Sequence, residues 1–291
     1  MSEVAVSGPF AHHPGWNLSS DERSGRIRSV RSSLTRWAEL DGVRSGFVPA
    51  VVAASELIAP PTVGRVFTGR RSVRLGDVDE RGRLRLDAIA RYLQDVATDD
   101  TADLDDERIG GFSWVVRRTL IEIRRAASLD ERVELATFCS GTGRSWAERR
   151  TSIVGERGAS IETVSLWIRI DPASGRPTAL GDTFIEAYGP AAGGRRVSAR
   201  LQLAAPPDDT QRQHWPIRRV DLDPLRHVNN AVHWSIVEET LPEVSRRGRG
   251  EIEYLAPIEP DIDVTRAVDE QSSWLLDGDR VLTAARWTPT S

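Results

Sequence analysis

The chain has 291 residues, with 39 basic and 43 acidic side chains and a formal net charge of −4. Hydrophobic residues make up 39% and charged residues 28%, which is typical of a globular protein and excludes a wholly disordered chain. The balanced charge argues against a nucleic-acid-binding protein. No run reaches the ~20 apolar residues of a membrane-spanning helix, so we expect no membrane association. The length predicts two domains.

Cys139 is the single cysteine, which excludes intrachain disulfides and multi-cysteine metal sites and fits a cytoplasmic protein. His214, His227 and His233 do not have the spacing of metal ligands, so we expect neither a metal nor a cofactor. All 39 basic residues are arginine, which excludes Schiff-base lysine chemistry. Guanidinium groups would instead suit contacts with phosphate or carboxylate.

Residues 1–60 show no sustained hydrophobic period, and we interpret them as an irregular N-terminal extension. An over-extended start codon is an alternative explanation. The pattern becomes regular after this segment. Val66–Leu75 alternates like a strand, and apolar residues from Leu86 to Val96 have helical spacing, with Asp87 as a candidate cap. Four further strands are predicted at Phe112–Ile123, Val133–Ser140, Ser145–Val154 and Ile161–Ile170.

The same order of elements is predicted again in the second half. A strand at Ile217–Val220 precedes a helix at Asn229–Leu241, and four strands follow at Glu251–Leu255, Asp263–Val268, Ser273–Leu276 and Val281–Trp287. Between the halves, residues 181–210 have the composition of a linker, with 191–210 as its core.

A repeat search supports a duplication. At an offset of 144, Asp77-Val78-Asp79 coincides with Asp221-Leu222-Asp223, and Tyr92–Asp95 coincides with Ile236–Glu239. Matches at offsets of 131 and 120 follow in sequence order. A single long helix is stable when a sheet wraps around it. We therefore predict an α+β tandem double hotdog, each unit a long helix wrapped by an antiparallel sheet, with a first hotdog at 61–190 and a second at 211–291.

The segment Asp221–Asn230 has the residues best suited to chemistry, because carboxylates, a histidine and two carboxamides lie together at a predicted helix N-terminus. Unpaired main-chain N–H groups at such a terminus stabilise developing negative charge. A nearby carboxylate or imidazole could activate water or attack directly.

Asp223-x-x-x-His227-Val228-Asn229-Asn230, with a helical Glu239 twelve residues after the histidine, resembles the acyl-acyl-carrier-protein thioesterases, which are double-hotdog enzymes. The resemblance implies hydrolysis of acyl thioesters to free fatty acid, and it implies acyl-ACP or acyl-CoA as the partner, within fatty acid biosynthesis. It places the acyl chain in the first hotdog and catalysis in the second. A homodimer is compatible with it.

The resemblance implies that Asp223 acts as nucleophile or general base and that His227 orients water or stabilises charge. Glu239 and Asn229 complete the candidate catalytic set, although Asn229 also suits a helix cap. Two family positions differ in this chain. Leu225 stands where the family has a catalytic Asn, and Pro257-Ile258 stand where it has a Glu-Cys pair.

Two other functions fit the same fold. A hotdog enoyl hydratase or dehydratase also has Asp and His on this loop, but this chain lacks the Asn of that pattern and its spacing is one residue shorter. A non-catalytic acyl-thioester-binding protein would explain the missing Asn and Glu-Cys positions.

Overall fold

The computed structural model describes residues 57–104, 113–171, 173–240 and 247–290. The extension predicted for 1–60 therefore lies outside the described residues up to residue 56. The described elements, in chain order, are β1 Phe67–Ser72, α1 Leu86–Asp103, β2 Ser113–Arg125, β3 Arg132–Thr142, β4 Trp146–Gly155, β5 Ser160–Ile170, α2 Asp182–Ala192, β6 Arg212–His214, α3 Asn230–Thr240, β7 Gly248–Tyr254, β8 Val264–Val268, β9 Ser272–Asp277 and β10 Arg280–Pro289.

The ten described strands form one antiparallel sheet in the order β1-β3-β4-β5-β2-β7-β10-β9-β8-β6. Its centre is the pairing of β2 with β7, where Thr119 lies opposite Ile252 and Ile121 lies opposite Gly250. Outward from this pair, one side runs β2, β5, β4, β3, β1 and the other runs β7, β10, β9, β8, β6. Each strand of the first half therefore has a counterpart five strands later, at the mirrored place in the sheet.

Helices α1 and α3 share the main hydrophobic core. The apolar positions predicted for α1 are buried, and Trp234 of α3 is fully buried in the same cluster as Ile121 and Ile252 of the central strands. At Gly250, an added Cβ would lie 2.8 Å from the Trp234 ring, so only glycine lets the indole pack on the sheet. The core thus joins both helices to the sheet centre.

The predicted cap of α1 is wrong. Asp87 is the second residue of the helix, and its carboxylate contacts Arg85 at 2.9 Å and Arg91 at 2.5 Å. The first helical N–H, that of Leu86, instead donates to the side chain of Glu238 from α3 at 2.9 Å. A sequence pattern could not show this contact, because the acceptor lies 152 residues away.

The strand predicted at Ile217–Val220 is also wrong. Residues 219–221 form a short 3-10 turn in which the Val220 side chain is 82% exposed. The strand that pairs with β8 is Arg212–His214, and its three residues are all exposed. An edge strand with no apolar residue has no alternating pattern, and the sequence therefore gave no sign of it.

Helix α2 occupies part of the segment that was predicted to be linker. Phe184, Tyr188 and Ala192 have helical spacing and pack with the buried Cys139 of β3. Pro190 and the adjacent glycines hid this period in the sequence. The helix ends at Gly193, whose φ of 55° suits glycine. The predicted domain boundaries themselves stay a prediction.

Candidate active site

The loop that leads into α3 begins at a buried aspartate. Asp221 Oδ2 accepts the main-chain N–H of Arg218 at 2.8 Å, and Oδ1 contacts the Arg218 guanidinium at 2.8 Å. The carbonyl oxygen of Asp221 accepts the N–H of Asn229 at 2.8 Å. These bonds bring the two ends of the loop together.

Asp223 holds the interior of the loop with one of its carboxylate oxygens. Oδ1 accepts the main-chain N–H groups of Leu225 at 2.8 Å and His227 at 3.1 Å. Between them, Arg226 has a φ of 62°, the left-handed conformation that closes the turn. No donor among the described residues bonds Oδ2, and the carboxyl group is half-buried. One oxygen of the carboxylate therefore fixes the conformation of the loop.

His227 lies in the same turn and is 6% exposed. Its carbonyl oxygen accepts the N–H of Asp223 at 2.8 Å, so the aspartate and the histidine are joined through their main chains. The next residue, Val228, donates its N–H to the carbonyl oxygen of Ile258 at 2.8 Å, and this bond holds the loop against the segment that follows β7. The structure thus brings Asp223 and His227 together, as the motif spacing predicts.

Asn229 caps α3. Its Oδ1 accepts the N–H of Ala231 at 2.9 Å, which is the bond expected of an N-cap, and the side-chain amide of Gln94 from α1 at 3.2 Å. The following residue, Asn230, has its carbonyl oxygen bonded by the Tyr254 hydroxyl at 3.2 Å. Among the described residues, no acceptor bonds the N–H of Asn230. The N–H of Asn230, the first residue of α3, therefore remains available as a donor close in sequence to His227.

The two glutamates near the end of α3 differ in environment. Glu239 is exposed, whereas Glu238 is half-buried and accepts the N–H of Leu86 at the start of α1. The sequence could not order the two residues, and the structure does so: Glu239 is the solvated one.

The first half has a loop with the same main-chain geometry, 144 residues earlier. Asp79 Oδ1 accepts the N–H groups of Arg81 at 3.0 Å and Arg83 at 2.8 Å, as Asp223 does with its own loop. Gly82, at the place of Arg226, has a φ of 72°. The repeat seen in the sequence is therefore also a repeat of hydrogen bonds.

The side chains of the two loops differ in chemistry. Arg83 stands at the place of His227, and its guanidinium contacts Asp79 at 3.0 Å. Arg85 stands at the place of Asn229 and donates to Asp87 and to the carbonyl oxygen of Val78, each at 2.9 Å. Ion pairs thus fill the first loop, and the second loop has the imidazole and the carboxamides.

Two family models match the chain: acyl-ACP thioesterase N-terminal domain over residues 64–188, and acyl-ACP thioesterase C-terminal domain over residues 204–274. The chain belongs to the acyl-ACP thioesterase family. The family membership confirms the expected activity, which is the hydrolysis of acyl thioesters.

Known relatives agree with this membership. An uncharacterized protein of Mycobacterium tuberculosis is 32% identical over 205 residues, which are 69% of this chain and 82% of that protein. An acyl-ACP thioesterase from Bacteroides thetaiotaomicron superposes with a TM-score of 0.64 at 16% identity, over 77% of this chain and 98% of that one. A 12:0-ACP thioesterase from Umbellularia californica superposes with a TM-score of 0.62 at 20% identity, over 77% of this chain and 98% of that one. These structures show that the fold is hotdog-like, with a large antiparallel sheet and few helices.

The departures from the thioesterase motif carry apolar side chains at Leu225, within the loop, and at Pro257-Ile258, beside it. Leu225 packs with Ile168 and Ile170 of β5, so the loop of the second half contacts the first half. Ile258 is 1% exposed and contributes its main chain to the loop through Val228, next to half-buried Pro257. These positions therefore shape and support the loop in this family member.

Sequence reasoning missed the environment of His233. The ring is buried, with Nδ1 at 2.9 Å from the Thr283 hydroxyl and its edge toward Tyr254 at a centroid distance of 5.1 Å. Burial lowers the pKa of His233 to about 4, so the imidazole is neutral at pH 7. Sequence reasoning also missed the contact of Gln94 with Asn229. The repeat register, which aligns Gln94 with Glu238, could have identified Gln94.

The described residues include no group of three or more His, Cys, Asp and Glu side chains placed to hold a metal ion. None of the helices described in the structure is long and apolar enough to cross a membrane.

Proposed function

We propose that this thioesterase releases a free fatty acid from an acyl carrier protein, with the chemistry at the loop before α3. The proposal rests on the different environments of the two carboxylate oxygens of Asp223. Oδ1 is held by two main-chain N–H groups, whereas Oδ2 has no donor among the described residues. A carboxylate fixed in this way is pre-oriented for a reacting group.

In the proposed step, Asp223 takes a proton from water as general base, and the water oxygen attacks the thioester carbonyl carbon. The carbon–sulfur bond then breaks, the protonated Asp223 returns its proton to the sulfur, and the thiol leaves on the carrier. Direct attack by Asp223, through an anhydride that water hydrolyses, is the nucleophilic form of the same proposal. His227 orients the water or stabilises the developing charge.

The developing oxyanion needs donors at the start of α3. The N–H of Asn230 suits this role, since the helix dipole adds to its field. Asn229 caps the helix and contributes its side-chain amide. Glu239 stays in the candidate set, and its exposure favours a role in binding solvent or the carrier over one in proton transfer.

The first half is proposed to receive the acyl chain, and the two halves to be a tandem double hotdog. The mirrored strand order and the equal hydrogen bonding of the two loops support the duplication. The ion-paired first loop and the apolar cluster around Phe184 and Tyr188 support acyl-chain binding in the first half and catalysis in the second. A cytoplasmic place in fatty acid biosynthesis follows from the proposed product.

The test is a thiol-release assay with acyl-ACP and acyl-CoA over a series of chain lengths. We expect turnover with acyl-ACP and a loss of about 100-fold or more in kcat for Asp223→Asn and His227→Ala, the scale of an acid–base group. Acyl-CoA tests the alternative carrier, and equal kcat/KM for both would remove the preference for ACP.

Asp79→Asn is the matched control, because Asp79 holds the equivalent loop of the first half. It removes the carboxylate that holds the equivalent loop, yet it should leave kcat within about twofold. Unchanged rates in both Asp223→Asn and His227→Ala would remove the mechanism.

A further inference from the structure

One side chain from the first half reaches into the loop of the second half. Gln94, in the middle of α1, donates from Nε2 to Oδ1 of Asn229 at 3.2 Å. The two residues are 135 positions apart in sequence. Asn229 thus has partners from both halves, Gln94 of α1 and Ala231 of α3.

The bonds to Asn229 determine how its amide faces. A main-chain N–H can only donate, and the N–H of Ala231 lies 2.9 Å from the Asn229 side chain, so the atom that faces it is the oxygen. Gln94 donates to the same oxygen. The amide is planar, so Nδ2 is directed away from both partners. Among the described residues, no acceptor bonds Nδ2.

We propose that Gln94 is a positioning residue of the active site: it holds the Asn229 amide so that Nδ2–H donates to the carbonyl oxygen of the bound acyl thioester. The inference rests on the proposed function for its substrate. It makes the site a composite of both halves, since a residue of α1 orients a donor at the start of α3.

Two substitutions separate the bond from the bulk of the side chain. Gln94→Met keeps the length of the side chain and removes the donor. Gln94→Glu keeps the shape and replaces the donor by a carboxylate, which cannot donate to Oδ1 of Asn229. Thr98→Ala is the control, because Thr98 is exposed one turn further along α1 and its hydroxyl donates to the carbonyl oxygen of Gln94.

Kinetics of acyl-ACP hydrolysis give the first readout. A donor that acts on the developing oxyanion changes kcat more than KM. We expect kcat to fall about tenfold in Gln94→Met and Gln94→Glu, the scale of one hydrogen bond, with KM within about twofold. Thr98→Ala should keep both values.

A spectroscopic readout is available because the chain has three asparagines, Asn17, Asn229 and Asn230. Protein labelled with ¹⁵N at asparagine gives three side-chain NH₂ pairs. The probe is an acyl-pantetheine ketone, in which CH₂ replaces the thioester sulfur and the carbonyl oxygen remains. We expect the Asn229 pair, assigned with Asn229→Asp, to shift on addition of the ketone in the parent protein and to shift less in Gln94→Met.

The two readouts keep the inference distinct from the proposed function. A parent protein that hydrolyses no thioester would overturn the proposed function. If its Asn229 pair nevertheless shifts with the ketone, and shifts less in Gln94→Met, the positioning role would be supported. An Asn229 pair that does not respond to bound ketone, or a kcat of Gln94→Met equal to that of the parent, would overturn the positioning role whatever the activity.

Discussion

Gln94 and Glu238 occupy equivalent places on α1 and α3, 144 residues apart, and each bonds the N-terminus of the other helix. Gln94 donates to Asn229 at 3.2 Å, and Glu238 accepts the N–H of Leu86 at 2.9 Å. The Gln94 amide donates to the side chain that caps α3, and the Glu238 carboxylate accepts from the first main-chain N–H of α1. Each helix N-terminus is therefore bonded by a side chain of the other helix. The two helices are thereby fixed in register across the centre of the molecule.

Glu238 is expected to stabilise the fold. Removal of its carboxylate leaves the Leu86 N–H unsatisfied at the positive end of α1. We expect Glu238→Ala to lower the free energy of unfolding by about 1–2 kcal/mol, as measured by chemical denaturation. Glu239→Ala is the matched surface variant and should change it by less than about 0.5 kcal/mol. Equal losses in the two variants would contradict the capping role.

Glu131 predicts a loss of stability in acid. Its side chain is 1% exposed, and burial alone would raise its pKa, but hydrogen bonds from the main chains of Ser128, Ala159 and Arg157 outweigh burial and lower the pKa. The stabilisation is therefore present above the unfolded value of about 4.3 and is lost as the pH falls through the folded pKa. Denaturation curves from pH 7 down to pH 3 should show this.

Glu131→Gln should remove most of that stabilisation at pH 7, where we expect a loss of about 2–3 kcal/mol. The difference from the parent should shrink toward pH 3. Glu134→Gln, with a half-exposed carboxylate on strand β3 just after Glu131, is the control and should show little change at either pH. A pH-independent loss in Glu131→Gln would show that packing, and not charge, is the cause.

His233 predicts a second acid effect, at higher pH. Its folded pKa of about 4 lies below the ordinary value of 6.5, so the unfolded chain binds the additional proton between these values. The contribution of His233 to stability should accordingly be constant above pH 7 and fall by about 3 kcal/mol on acidification to pH 4. His233→Gln should flatten this slope, whereas His214→Gln, at an exposed histidine, should keep it. An unchanged slope in His233→Gln would contradict the assignment.

Arg226 is expected to cost stability through its backbone. Its φ of 62° is unfavourable for a residue with a Cβ, and the equivalent residue of the first half is Gly82 at 72°. We expect Arg226→Gly to raise the free energy of unfolding by up to about 1 kcal/mol and Gly82→Ala to lower it by about 1 kcal/mol. Thermal and chemical denaturation would measure both. A stability loss in Arg226→Gly would show that its exposed side chain contributes more than the turn costs.

Hydrophobic period and internal repetition were sufficient to predict most of the fold. The apolar face of α1 and the alternation of β2 to β5 follow from burial against one core, which the sequence records directly. Strand β6 has no buried residue, and α2 contains a proline, so neither has the usual pattern. Sequence patterns do not predict an element that is stabilised mainly by contacts with neighbouring elements.

The candidate site could be predicted in part. Asp223 and His227 are near in sequence, so the motif alone places them in one turn. The contacts of Gln94 with Asn229 and of Glu238 with Leu86 join residues more than 130 positions apart, and no local pattern encodes them. The catalytic roles of Asp223, His227, Asn229 and Glu239 stay predictions for the assays above.

The central pairing of β2 with β7 makes the two copies depend on each other. Either copy alone would leave a long strand edge unsatisfied in water, and a second molecule of the same kind would have to cover it. Because both halves lie on one chain, this edge is covered at any protein concentration. The two loops also have separate sequences, so arginines can close the first while the second keeps its imidazole.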